Sequence, residues 1–242
     1  MAAQPSLPAP GWLAMLCASR LLQAMIVTAY AGVLPFTMVD WRMSAAQAGS
    51  IQSAWHVGYM SSLFAVGLLA DRFGAHRVFL LGSAVSAIAA LGFALFASGH
   101  RSALLLYGLA GLCAGASYTP GLQLLARNAE PAVRGRAMGL FLGASSLGYA
   151  LSLAVVAALA SLAHWRHGLI AAALCTAVGA LLTVPALRRM QLPTAPPQAA
   201  RESTLRALAE TVRDKPAMAG NWAYAFHCWE LMALWAWLPA YL

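Results

Sequence analysis

Charge is scarce in this chain. Only 9% of its 242 residues are Asp, Glu, Lys or Arg, against 61% that are hydrophobic. Soluble domains carry about 25% charged residues, so this balance excludes an ordinary soluble fold and points to an integral membrane protein. Short segments of alternating hydrophobicity, which would build a membrane barrel, are missing as well. There is no phosphate-cradling loop, no H-E-x-x-H pair and no other catalytic constellation. Enzyme activity is therefore not expected, and no cofactor is implied. Cys17, Cys113, Cys175 and Cys228 all fall within apolar runs and read as small packing residues, not a disulfide framework. The first nineteen residues lack a basic side chain and Arg20 interrupts the apolar stretch, which argues against a cleaved signal peptide. No lysine occurs between Ala217 and Leu242, which excludes a retinal-binding seventh helix.

What the chain does have is long apolar runs. They lie near 12–39, 48–70, 78–99, 102–126, 137–162 and 168–187, and a seventh begins near 219 and continues to Leu242. About 18 apolar residues suffice to cross a bilayer. Lipid offers no partner to free backbone groups, so each run is expected to be a helix. The expected fold is an all-α membrane protein in three parts. A six-helix bundle covers 1–187, a cytoplasmic linker 188–218, and a seventh membrane helix 219–242. Within the linker, after Pro193, Pro196 and Pro197, comes "STLRALAETVRDKP". Ser203 can cap a helix there, Leu205, Leu208 and Val212 share one face, and Arg206 and Glu210 are spaced as an i,i+4 pair. That pattern predicts an amphipathic helix on the membrane surface joining two bundles.

The basic residues are asymmetric. Arg72, Arg77, Arg127, Arg134, Arg136, Arg188, Arg189, Arg201, Arg206, Arg213 and Lys215 fall on one side, and only Arg42, Arg101 and Arg166 on the other. Cytoplasmic loops collect such residues, which places the N-terminus in the cytoplasm, with the bacterial inner membrane as the expected location. The net charge of +8 then reflects topology. A nucleic-acid partner would need those residues gathered on one soluble domain and is not expected. The partners expected are the lipid bilayer and a small-molecule or ion substrate.

One stretch stands apart, "GLLADRFGAHRVFLLG" from Gly67 to Gly82, where charges interrupt two apolar runs. Gly67 would let helices approach, Gly74 would permit a tight turn, and Asp71 at a helix end could meet an arginine. Residues 67–74 resemble the G-x-L-a-D-r-x-G signature of the major facilitator superfamily, carried between helices two and three on the cytoplasmic side. The resemblance implies two six-helix halves, of which this chain would be a fragment: the first half, the linker and the start of the missing C-terminal half. It implies secondary transport by alternating access, and a conformational latch at Gly67, Asp71, Arg72, Gly74 and Arg77, with Arg134 and Arg136 as local partners of Asp71. A simpler reading keeps Asp71 as a helix cap. One departure is that Ala75 and His76 replace the basic residues usual directly after the second glycine. Marks of the exporter subgroup are absent: Tyr107 stands four residues before Gly111, and "GRAMGLFLGASSLGYALSLA" has no proline. Its Gly135, Gly139 and Gly143 recur every four residues, which suits a close helix crossing. Alternatives are a sensor, an inert half, a half that works as a dimer, or a drug or metabolite exporter of the same superfamily.

In this family the substrate site lies at the membrane midplane, faced by helices one, four and seven. Candidate substrate-binding residues are Arg20, Gln23 and Tyr30 on the first helix, Gln52 and His56 on the second, Tyr118 on the fourth and Tyr224 on the seventh. Arg20 either faces the cavity or snorkels to the surface. His56 either binds or packs, and Tyr118 lines the cavity or, with Pro120, bends its helix. His227 and Glu230, i,i+3 neighbours, could share a coupling proton or form a gating ion pair. The expected arrangement sets Arg20 across the cavity from both, with a small anion as substrate and proton coupling. "HWRH", 164–167, reads as an outer interface anchored by Trp165 in preference to a metal pair.

Overall fold

The computed structural model describes residues 10–190, 210 and 212–241. The tail before Pro10 and most of the amphipathic helix expected from Ser203 lie outside the described residues. Among the described residues all regular structure is helical. Helix α1 spans Pro10–Asp40, α2 Ala45–Phe73 and α3 Ala75–Phe96. Then follow α4 His100–Ala114, a 3₁₀ turn Gly115–Ser117, and α5 Thr119–Asn128. Helices α6 Arg134–Leu162, α7 Trp165–Arg188 and α8 Lys215–Tyr241 follow.

Local chemistry explains the breaks. Ser44 and Gln47 form a reciprocal capping box at the start of α2, with Gln47 N–H donating to Ser44 Oγ (3.3 Å) and Ser44 N–H to Gln47 Oε1 (3.0 Å). Gly74 alone separates α2 from α3, at φ 89° and ψ 135°, a backbone setting that side chains resist. The fourth span is split between α4 and α5. Pro120 has no N–H to continue the ladder, and the residues before it tighten into the 3₁₀ turn.

Among the described residues five stretches are long and apolar enough to cross a membrane: Gly11–Asp40, Ala75–Phe96, His100–Asn128, Arg134–Leu162 and Trp165–Arg188. Seven were expected from the sequence. Helices α2 and α8 have the length, 29 and 27 residues, but fall outside those five. Gln47, Gln52 and His56 dilute the first, and His227, Glu230 and four tryptophans the second.

Helix α1 is the hub, packed on α7 and α6, while α2 packs on α4. Backbone contact sets the α2–α4 and α1–α6 crossings. A methyl on Gly111 would overlap the Trp55 carbonyl, and one on Gly148 the Leu21 carbonyl. The stripe Gly135, Gly139 and Gly143 does not take part, because a methyl on any of them meets nothing within 4 Å. The expected close crossing on that face is therefore not made among the described residues.

Two apolar clusters fill the bundle. One, toward the Asp40 end, centres on Tyr30, Trp55, Phe93 and Tyr107. The other, toward the Gly74 end, centres on Leu16, Phe79, Leu125 and Phe141. A polar layer of Ser19, Arg20, Gln23, Ser117 and Ser145 lies between them, all buried.

At the Asp40 end, Arg166 ties α7 to α3. Its guanidinium donates to the carbonyls of Ala94 (3.2 Å), Leu95 (3.1 Å) and Ala97 (2.8 Å), which α3 leaves without helical partners, and it stacks on Trp165. Trp165 Nε1 donates to Asp40, and His164 lies 3.9 Å from the same carboxylate. Arg166→Ala should lower stability by about 2 kcal/mol through those lost charge-assisted bonds. Arg166→Lys should recover less than half, since an ammonium cannot span three carbonyls. Thermal unfolding in detergent checks this; an unchanged midpoint for the alanine variant would count against the clamp.

Candidate functional site

Arg20 sits on α1 five residues, about 7.5 Å, from the helix midpoint. It is 4% exposed, so it does not snorkel. Its Nε donates to Ser145 Oγ (2.7 Å), Nη1 to Ser117 Oγ (3.3 Å) and Nη2 to Tyr149 Oη (3.5 Å). The Ser145 and Ser117 hydroxyls donate onward to the Phe141 and Ala114 carbonyls of their own helices. The guanidinium lies 4.9 Å from the Tyr118 ring centre and 6.0 Å from that of Phe141. All these partners are neutral. Among the described residues no carboxylate comes within ion-pair distance of Arg20. Of the five N–H donors of a guanidinium, two are left over.

Tyrosines collar this cation. Tyr118 meets it through its ring and Tyr149 through its hydroxyl, Tyr59 lies nearby, and Tyr224 on α8 lies near Tyr59 and Tyr118. Tyr149 also stacks against Trp235 of α8, ring centres 4.8 Å apart. Toward the Asp40 end lies a narrow cleft between α1, α2 and α8, whose walls include Thr28, Gln52, His56, Met232 and Trp235.

The structure thus sets Arg20 beside Tyr118, with Tyr224 near Tyr118, and puts Gln52 and His56 on the cleft beyond. Gln23 lies beside it but turns to α7: its Nε2 donates to Ser19 Oγ (2.8 Å), which donates to the Gly179 carbonyl (2.8 Å), and its Oε1 is buried without a partner. Tyr30 is not at the site. It is fully buried against Phe93 and Tyr107, and its hydroxyl points to the Ala48 carbonyl (3.4 Å). His227 and Glu230 are exposed and do not face Arg20. Helix α8 turns Met232, Trp235 and Ala236 toward the cleft, and His227 and Glu230 fall off that face.

At the Gly74 end, Asp71, Arg72, Arg77 and Arg136 are exposed and Arg134 is half-buried, its Nε lacking a partner. Among the described residues Asp71 pairs with neither Arg134 nor Arg136, so the local pairing expected of it is not formed. Nor does it cap a helix: it lies in the last turn of α2, where the helix dipole disfavours a negative charge. Gly67 faces open space, not a crossing helix.

Ser117, Ser145 and Tyr149 escaped the sequence reading. The i,i+4 pair Ser145 and Tyr149, polar within an apolar run, was the available signal.

A helical bundle of this length and apolarity, with a buried cation that has no counter-ion among the described residues, defines an α-helical integral membrane protein with a polar interior. The family model of the Major Facilitator Superfamily matches residues 16–242, and the chain belongs to that superfamily. Among solved structures it is similar to the proton:xylose symporter XylE bound to 6-bromo-6-deoxy-D-glucose. The two are 14% identical with a TM-score of 0.61, over 72% of this chain and 44% of that one. At that identity the likeness shows the fold. The chain spans less than half the length of that symporter. A search of proteins of curated function finds no match.

Proposed function

We propose that the chain forms one half of a secondary transporter that carries a small anion by alternating access, with Arg20 as the anion-binding group. One observation carries this. Arg20 is buried, bonded only to neutral acceptors, and has two donors to spare. A buried charge without a counter-ion is costly, and a bound anion supplies one. The Gly74 end is assigned to the cytoplasm. Asp71, unpartnered at the negative end of α2, is assigned with Gly67, Arg72, Gly74, Arg77, Arg134 and Arg136 to a latch that engages in another conformation. Proton coupling is assigned to His227 and Glu230, titratable neighbours one turn apart on α8.

Proteoliposomes carrying the full-length protein should take up a labelled organic acid saturably, faster under an inward proton gradient, with neutral xylose excluded. Uptake of xylose without any anion uptake would overturn the anion assignment. Indifference to the proton gradient would remove His227 and Glu230 alone.

A further inference from the structure

The cleft toward the Asp40 end has its own chemistry. Gln52 is 7% exposed, and its Oε1 is buried with no hydrogen-bond donor. An unsatisfied buried acceptor is rare and invites an explanation. His56, one turn along α2, bonds through Nδ1 to the Gln52 backbone carbonyl at 2.8 Å. A carbonyl can only accept, so Nδ1 carries the hydrogen. In the neutral ring Nε2 is then an acceptor, and it has no partner among the described residues. Thr28, on the opposite wall, has already spent its hydroxyl hydrogen on the Tyr149 carbonyl at 3.0 Å, which leaves it accepting too. Thr28, Gln52 and His56 line the cleft, and no hydrogen bond from the described residues reaches the Gln52 Oε1. Met232, Trp235 and Ala236 form an apolar wall beside them. Tyr149 connects this cleft with the cation, since its hydroxyl accepts from Arg20 and its carbonyl from Thr28. Along α1, Arg20 and Thr28 are eight residues apart, about 12 Å, part of which the arginine side chain spans.

We propose that Gln52, His56 and Thr28 form a second contact for the substrate of the Arg20 site, selecting an anion that carries a hydrogen-bond donor at the far end of a short apolar spacer. The proposal rests on the anion reading above. It predicts that ω-hydroxy acids outbind the plain acids of the same length, because only they satisfy the buried acceptor.

Calorimetric titration of the purified full-length protein with hexanoate and 6-hydroxyhexanoate tests it. The hydroxy acid should bind at least tenfold more tightly. Gln52→Leu should weaken the hydroxy acid at least fivefold and leave hexanoate unchanged, which also shows that the variant is folded. His56→Leu, titrated in the same way, decides the matter where Gln52→Leu does not fold. Equal affinity of the two acids for the unaltered protein, or a preference that survives both substitutions, would overturn the second contact and leave the anion reading standing. Binding of neither acid, or affinities untouched by Arg20→Gln, would overturn the anion reading and this proposal with it.

Discussion

Arg20→Leu should abolish anion uptake and leave the protein at least as stable as before. Truncating one partner of a buried charge interaction costs a ligand about 2–5 kcal/mol, so the Kd for an anion should rise at least thirtyfold, and transport should fall below detection in proteoliposomes. The effect on stability has the opposite sign from most buried substitutions. Arg20 has no carboxylate partner among the described residues, so its removal strands no opposite charge. The two serines keep their bonds to the Phe141 and Ala114 carbonyls. Replacing a buried ion by an apolar side chain is then neutral or stabilising. Arg20→Lys should retain a small part of uptake, since an ammonium keeps the charge but loses the planar donor fork. Undiminished uptake by the leucine variant would remove Arg20 from the site. A large drop in melting temperature would assign it a structural role instead.

Gly111→Val should be the most damaging single substitution in the α2–α4 contact. Its side chain would grow into the Trp55 carbonyl, a backbone atom held within α2 that cannot swing aside. Overpacking of this kind costs about 3 kcal/mol or more, which should appear as a lower unfolding midpoint in detergent and a reduced yield of folded protein. Gly108→Ala, one turn earlier on α4, is the control. A methyl there meets its nearest atoms, those of Ala54, at 3.5 Å, an ordinary contact, so its midpoint should barely move. Equal midpoints for the two variants would refute the account of the crossing.

Much of this was legible from the sequence, and the failures have a common cause. The helices followed from apolar runs because a bilayer imposes length and backbone satisfaction, which are local demands. Gly74 was legible for the same reason, since a turn is a local event. Arg20 stood out as an ionisable residue within an apolar run. Its partners did not, because Ser117, Ser145 and Tyr149 lie 97 to 129 positions away in sequence. Tyr30 misled because ten residues of α-helix turn through about 1000°, which leaves it roughly 80° round α1 from Arg20 and aimed into the apolar cluster. The placement of His227 and Glu230 across from Arg20 misled in the same manner, because it was drawn from residue type before the cavity face of α8 was known. The glycines at 135, 139 and 143 show the limit from the other side: the spacing is that of a crossing, yet the described residues provide no helix to cross.

The polar layer between the two apolar clusters carries a mechanical consequence for the proposed function. Side chains packed at one end of the bundle do not interdigitate with those at the other, so one end can loosen without repacking its opposite. Arg20 occupies the boundary, where a rocking movement about the middle of the membrane displaces atoms least. A ligand held there stays at the fulcrum, keeping its contacts while access changes ends.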